Sequence, residues 1–179
     1  MSAKKDSKKD EPTQQEATLK AADMPVTIHS QYIRDMSFEN PNAPDALRAG
    51  AAMPEMNVNI SMDARTLPDE KIDNLYEVAL TVSAEAKKDD ETIFIAELVY
   101  GVTVSVGPEV LEEHHHPLLL IEIPKFAFPF ARQILSNMTS QGGYPPLLLS
   151  PVDFQALYMD RFSKEIAEAR AAAEEGQTN

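Results

Sequence analysis

The sequence predicts an α+β domain, a four-stranded antiparallel sheet with two main helices on one face. Three observations predict it. Four segments before residue 107 alternate apolar and polar side chains with a period of two. Turn-forming residues separate these segments. After Pro117 the apolar spacing lengthens to that of a helix. Strands first and helices last gather the helices on one side of the sheet.

The first run spans Val26 to Phe38. Val26, Ile28, Tyr32, Met36 and Phe38 hold even positions, and His29, Gln31, Asp35 and Ser37 hold odd ones. The second sets Met56, Val58, Ile60 and Met62 against Asn57, Asn59, Ser61 and Asp63. In the third, Tyr76, Val78, Leu80, Val82 and Ala84 alternate with Glu77, Ala79, Thr81, Ser83 and Glu85. The fourth places Phe94, Ala96, Leu98, Tyr100, Val102, Val104 and Val106 on one side. Such alternation turns one face to a core and the other to water. The turns fall at Asn40-Pro41-Asn42-Ala43-Pro44, at Leu67-Pro68-Asp69-Glu70 and at Lys87-Lys88-Asp89-Asp90. Pro129 suits the first turn of a helix, Phe130, Ile134, Leu135 and Met138 follow at helical spacing, and Gly142-Gly143 ends it. Tyr144-Pro145-Pro146 connects to a second helix, with Ser150 as its cap and Phe154, Leu157, Tyr158 and Phe162 as its apolar stripe.

Residues 1–23 hold five basic and five acidic side chains and almost no large apolar ones. They cannot offset their chain entropy and are expected to be a disordered tail. Residues 24–162 form the folded domain. Residues 163–179, with four glutamates among alanines, either extend the last helix or form a flexible tail.

With 16 basic and 29 acidic residues in 179, the formal net charge is −13. That argues against nucleic acid and against an anionic membrane surface, and favours a basic partner. The absence of cysteine removes disulfides and thiol chemistry. The N-terminal lysines precede no apolar stretch of the kind a secretory signal needs, and no run reaches membrane-spanning length. A soluble, cytoplasmic protein is expected.

Catalytic signatures are sparse. There is no glycine-rich phosphate loop, no nucleophile elbow and no histidine pair at i, i+4. His114-His115-His116 behind Glu112-Glu113 reads first as a solvated loop and only second as a metal site, because adjacent residues do not converge on one ion. Two features rise above this background. Asp35, Glu39 and Glu97 share odd parity with Ile93, Ile95 and Val99, so acid and aliphatic side chains meet on the water side of the sheet. That face either docks a basic, partly apolar partner or is covered by edge packing or a tail. The second feature is the crowding of Phe126, Phe128, Phe130, Tyr144, Phe154, Tyr158, Met159 and Phe162 near the helices. One small domain cannot bury all of this, which leaves an oligomer interface, an open apolar groove, or both.

Several segments, in order, resemble the SecB protein-export chaperone family. They are Phe38-Glu39-Asn40-Pro41-Asn42-Ala43-Pro44, Tyr76-Glu77-Val78, Phe128-Pro129-Phe130-Ala131-Arg132 and Pro151-Val152-Asp153-Phe154-Gln155-Ala156-Leu157-Tyr158. The resemblance implies a homotetramer, a dimer of dimers, that has no enzymatic activity and needs no cofactor. It would hold unfolded precursor proteins and deliver them to SecA. It places SecA binding on Asp35, Glu39, Ile95 and Glu97, the tetramer interface near Ala96, Leu98 and Tyr100, and the client groove at Leu47, Met53, Leu157 and Tyr158. The family often has an aromatic residue where Ala49-Gly50-Ala51-Ala52 stands here. The competing readings are a metal-dependent hydrolase using His114–His116 with Glu112, and a structural oligomeric adaptor.

Overall fold

The computed structural model describes residues 25–48 and 54–163. The expected tail at residues 1–23, the extension beyond Ser163 and the groove residue Met53 lie outside these.

Four strands form one antiparallel sheet: β1 (Val26–Glu39), β2 (Glu55–Thr66), β3 (Leu75–Lys88) and β4 (Glu91–Val106), in the order β1-β4-β3-β2. The β3–β4 hairpin turns on Asp89 and Asp90, both at positive φ, the backbone that matches the twist of paired strands. Between β2 and β3, the Asp69 carboxylate accepts from the backbone N–H of Lys71 and of Ile72, at 2.8 and 3.0 Å. β3 and β4 lie in the centre and are buried on one face along their whole length, through Val78, Leu80, Val82, Leu98, Val102 and Val104. The predicted register of inward side chains is therefore correct for β2, β3 and β4.

β1 departs from it. Bulges between Ile28 and Ser30 and between Ile33 and Asp35 shift the pairing. An extra residue in a strand inverts which side chains face the core, and a second one restores it. Gln31 and Ile33 are thus carried to the helix side, opposite Val102 and Tyr100, while Tyr32 is carried to the outer side, opposite Gly101. The even-parity rule holds for Val26, Ile28, Met36 and Phe38 and fails for Tyr32.

The helical part starts earlier than predicted. A 3-10 turn (Glu112–His114), one α-helical turn (His115–Pro117) and a π-helical stretch (Leu118–Glu122) lead into a long helix, Ile123–Gln141. Pro124 follows closely on the π-helical stretch, and Pro129 lies inside the long helix on its water side. The core stripe is Ile123, Ala127, Ala131 and Leu135, flanked by Phe128 and Met138; Phe130 is largely exposed. The long helix lies mainly across β4 and β3.

The last helix covers residues 154–163. Its cap is Asp153, whose carboxylate accepts from the Ala156 N–H at 2.9 Å, and not Ser150. Phe154 packs edge-on against Phe128, their ring centres 5.7 Å apart, and is fully buried. Before it, the Leu147 N–H bonds Thr139 Oγ1 at 2.9 Å, so residues 145–153 run back along the long helix.

Candidate functional site

The outer sheet face, away from the helices, carries the acidic positions. Asp35 pairs with Val99, Ser37 with Glu97 and Glu39 with Ile95. The second β1 bulge is what returns Asp35 to this face. Asp35, Glu39 and Glu97 are exposed and Ile95 and Val99 half-buried. The four residues assigned to SecA binding therefore form one patch of three carboxylates around an aliphatic strip. None of the three carboxylates makes an ion pair among the described residues. Negative charge over apolar surface suits a basic, partly apolar partner.

Beside this patch lies a polar cluster that sequence reading missed. The Glu77 carboxylate is 4% exposed. It accepts hydrogen bonds from the Tyr32 hydroxyl and the Arg65 guanidinium, and from Arg34 Nη1 at 3.3 Å. The Tyr32 ring crosses β4 directly over Gly101, where a Cβ would stand 2.6 Å from the ring. These donors, the Tyr32 hydroxyl foremost, outweigh burial and hold the Glu77 carboxyl below the ordinary carboxylate range. Burial and the adjacent carboxylate raise Tyr32. The glycine opposite an aromatic was the available signal. Glu77 thus adds stability that is complete above the ordinary carboxylate range and is lost as the pH falls through its lowered value. Glu77→Gln is expected to cost about 1–3 kcal/mol at neutral pH. In urea unfolding the gap to the wild-type chain should narrow as the pH is lowered.

On the helix side, apolar surface is open at one end of the sheet. Phe38, Phe94 and Tyr144 form a ring cluster, with centres 5.6 Å apart for Phe38–Phe94 and 4.9 Å for Phe94–Tyr144. Asn40 joins it to the end of the long helix, taking the Tyr144 hydroxyl at 2.7 Å and reaching the Gly142 carbonyl. Burial raises the Tyr144 hydroxyl. Gly142 is required, because a Cβ there would stand 2.3 Å from the Phe38 ring. Leu47 leans on Gly143 and is 41% exposed. Two strands over from Phe94, across Ala86, Met56 is half-open to water, as is Val58 next to it. Leu148 on the connecting segment is 77% exposed.

Leu157 and Tyr158 are elsewhere. The Tyr158 ring lies tilted against His116, centres 5.5 Å apart, and its hydroxyl is 2.8 Å from His116 Nδ1, before the long helix begins, whereas Leu47 sits beyond its end. The 19-residue helix between them is roughly 28 Å long. Leu47 and Tyr158 thus do not line one pocket. They mark two ends of the helix side, and Met56, Val58 and Leu148 lie at the Leu47 end. A second apolar ridge follows β1, where Ile33 and Met36 are about half exposed and Phe130 stacks on Tyr100.

Ala96, Leu98 and Tyr100 need correction as surface residues. Ala96 and Leu98 are fully covered within this chain and Tyr100 nearly so, beneath the long helix. The strand alternation that makes them apolar also points them inward. They have almost no area to offer a second subunit directly.

The histidines form no shared site. His115 is buried between the Tyr76 hydroxyl, 2.9 Å from its Nδ1, and the Val110 carbonyl, 3.1 Å from its Nε2. His116 faces Tyr158 and Phe162, and His114 faces Glu113. The segment is helical and partly packed, not the solvated loop expected. Among the described residues no group of three His, Asp or Glu side chains is placed to hold a metal ion.

Comparison with known proteins identifies the family. Residues 19–165 match the family described as preprotein translocase subunit SecB. The protein-export protein SecB of Caulobacter vibrioides is 43% identical over 152 residues, 85% of each chain. That of Rhodospirillum centenum is 42% identical over 138 residues, 77% of this chain and 80% of the other. A SecB-like chaperone of Mycobacterium tuberculosis, solved with a peptide from an antitoxin, shares the fold, with a TM-score of 0.56 and 13% identity over 72% of this chain and 88% of that one. The chain belongs to the SecB family of protein-export chaperones.

Proposed function

We propose that this protein is an ATP-independent holdase that keeps precursor proteins unfolded in the cytoplasm and hands them to SecA. The observation that carries this reading is the separation of two surfaces on one rigid sheet. Exposed apolar side chains, Leu47, Met56, Val58 and Leu148, lie on the helix side, and the carboxylates of Asp35, Glu39 and Glu97 lie on the opposite face. A thioether and branched aliphatics at an open edge accept many apolar segments without demanding one sequence. The acidic face can engage a partner while the other side is occupied.

The assembly we propose is a homotetramer built as a dimer of dimers. The ridge along β1 with Phe130 is the apolar area available for subunit contact. Ala96, Leu98 and Tyr100 would act on assembly by seating the long helix. Several copies presented together raise the effective concentration for one long client chain.

The test is refolding of a slow-folding precursor, with this protein added in stoichiometric amounts and no nucleotide. Refolding should be arrested at about one tetramer per client, and an unchanged rate would sink the holdase reading. Tyr158 is as buried as Tyr100, so Tyr158→Ala should weaken client capture several-fold by loosening the seat of the last helix, without changing oligomer size. Full capture by that variant would confine the groove to the Leu47 end.

A further inference from the structure

We propose that Glu77 is a positioning residue for the acidic face: it holds Arg34 on the sheet surface and so keeps that guanidinium from neutralising Asp35. This deepens the SecA-docking reading and rests on it.

Strands β1 and β4 carry all four docking positions, and Arg34 is the one lysine or arginine in either strand. How much negative charge the face presents therefore depends on where Arg34 is held. It occupies the bulge between Ile33 and Asp35, flanked by Tyr32 and Asp35, both on the outer face. Two carboxylates compete for it. Asp35 is its chain neighbour and is exposed, while Glu77 is two strands away and buried. The guanidinium goes to Glu77, at 3.3 Å. A carboxylate withdrawn from water must be met by donors, whereas one in water is already solvated, so the buried acid holds the cation. Arg65 from β2 and the Tyr32 hydroxyl complete the set around Glu77. Asp35, Glu39 and Glu97 are left unpaired among the described residues.

The test measures affinity for purified SecA at low salt, with unfolding midpoints recorded for every variant. Glu77→Gln should bind about three- to five-fold more weakly, as expected when one exposed ion pair forms at the face. Adding Arg34→Gln to that variant should restore wild-type affinity. Adding Arg65→Gln should not, because β2 lies about 14 Å across the sheet from β1. Equal rescue by both would mean that net charge alone matters, and would overturn the proposal. Wild-type affinity in Glu77→Gln would overturn it as well. In the otherwise wild-type chain, which keeps the Glu77 carboxylate, Arg34→Gln should change affinity less than twofold. A several-fold gain there would show that Arg34 already neutralises the face. Asp35→Ala with Glu97→Ala serves as the control. If that pair binds SecA normally, the docking reading itself fails; if it binds weakly while Glu77→Gln binds normally, only the role of Glu77 fails.

Discussion

Asp35→Ala combined with Glu97→Ala is expected to weaken SecA binding by at least about tenfold and to leave client capture unchanged. Each carboxylate stands exposed at the edge of the Ile95–Val99 strip and makes no ion pair among the described residues. A basic partner docking there would pair with both. Charge pairs across an interface couple by about 1.5–7 kcal/mol when close, and by less at an exposed rim. Attraction of this kind weakens with salt, since screening shortens to about 8 Å near physiological ionic strength. The wild-type affinity should therefore fall steeply with added salt, and that of the double variant much less. The measurement is a titration with SecA at two salt concentrations, beside a client-capture assay on the same samples. Loss of client capture together with SecA binding would mean that the two faces are not independent. The fold argues that they are, because a sheet buried on the helix side separates them.

Leu98→Ala is expected to cost about 2–5 kcal/mol of folding stability, the range for emptying a closed core position. Leu98 is fully buried in β4, between Met36 of β1 and Val82 of β3. Its side chain supports the long helix from below. Urea unfolding measures the loss directly. Any change in oligomer size should follow from a loosened helix and track the loss of stability across a series Leu98→Val, Leu98→Ala. A variant with unchanged unfolding but altered assembly would instead place Leu98 at a subunit surface, against its burial.

Much of this architecture is legible in the residues. Period-two patterning is a local property, since successive side chains of a strand must point to opposite faces. It located β2, β3 and β4 and their inward faces without any knowledge of partners. Aspartates at the β3–β4 turn and polar residues at the other turns mark where the chain reverses. The acidic face was legible for the same reason, as Glu39 and Glu97 keep their parity.

Other features were not legible because they depend on a neighbouring strand. Two bulges in β1 leave no mark in its own alternation, and they cancel by Asp35. The inversion between them moves Tyr32 to the outer face, where its ring needs Gly101, 69 residues away in the chain. Pro129 reads as the first turn of a helix, yet it lies inside the long helix, on its water side, because the helix begins at Ile123. His115 reads as a surface residue until Tyr76 and Val110 are brought to both of its nitrogens.

Side-chain order, charge and turn chemistry were enough to establish the fold class and to set an acidic face apart from an apolar excess, because those follow from short-range periodicity and from composition; the family was legible only as a resemblance of ordered segments. Which apolar side chains stay uncovered, which carboxylate is withdrawn from water, and where Arg34 points were settled by the packing of distant strands. Burial is a property of the whole assembly of elements, and no stretch of chain contains it.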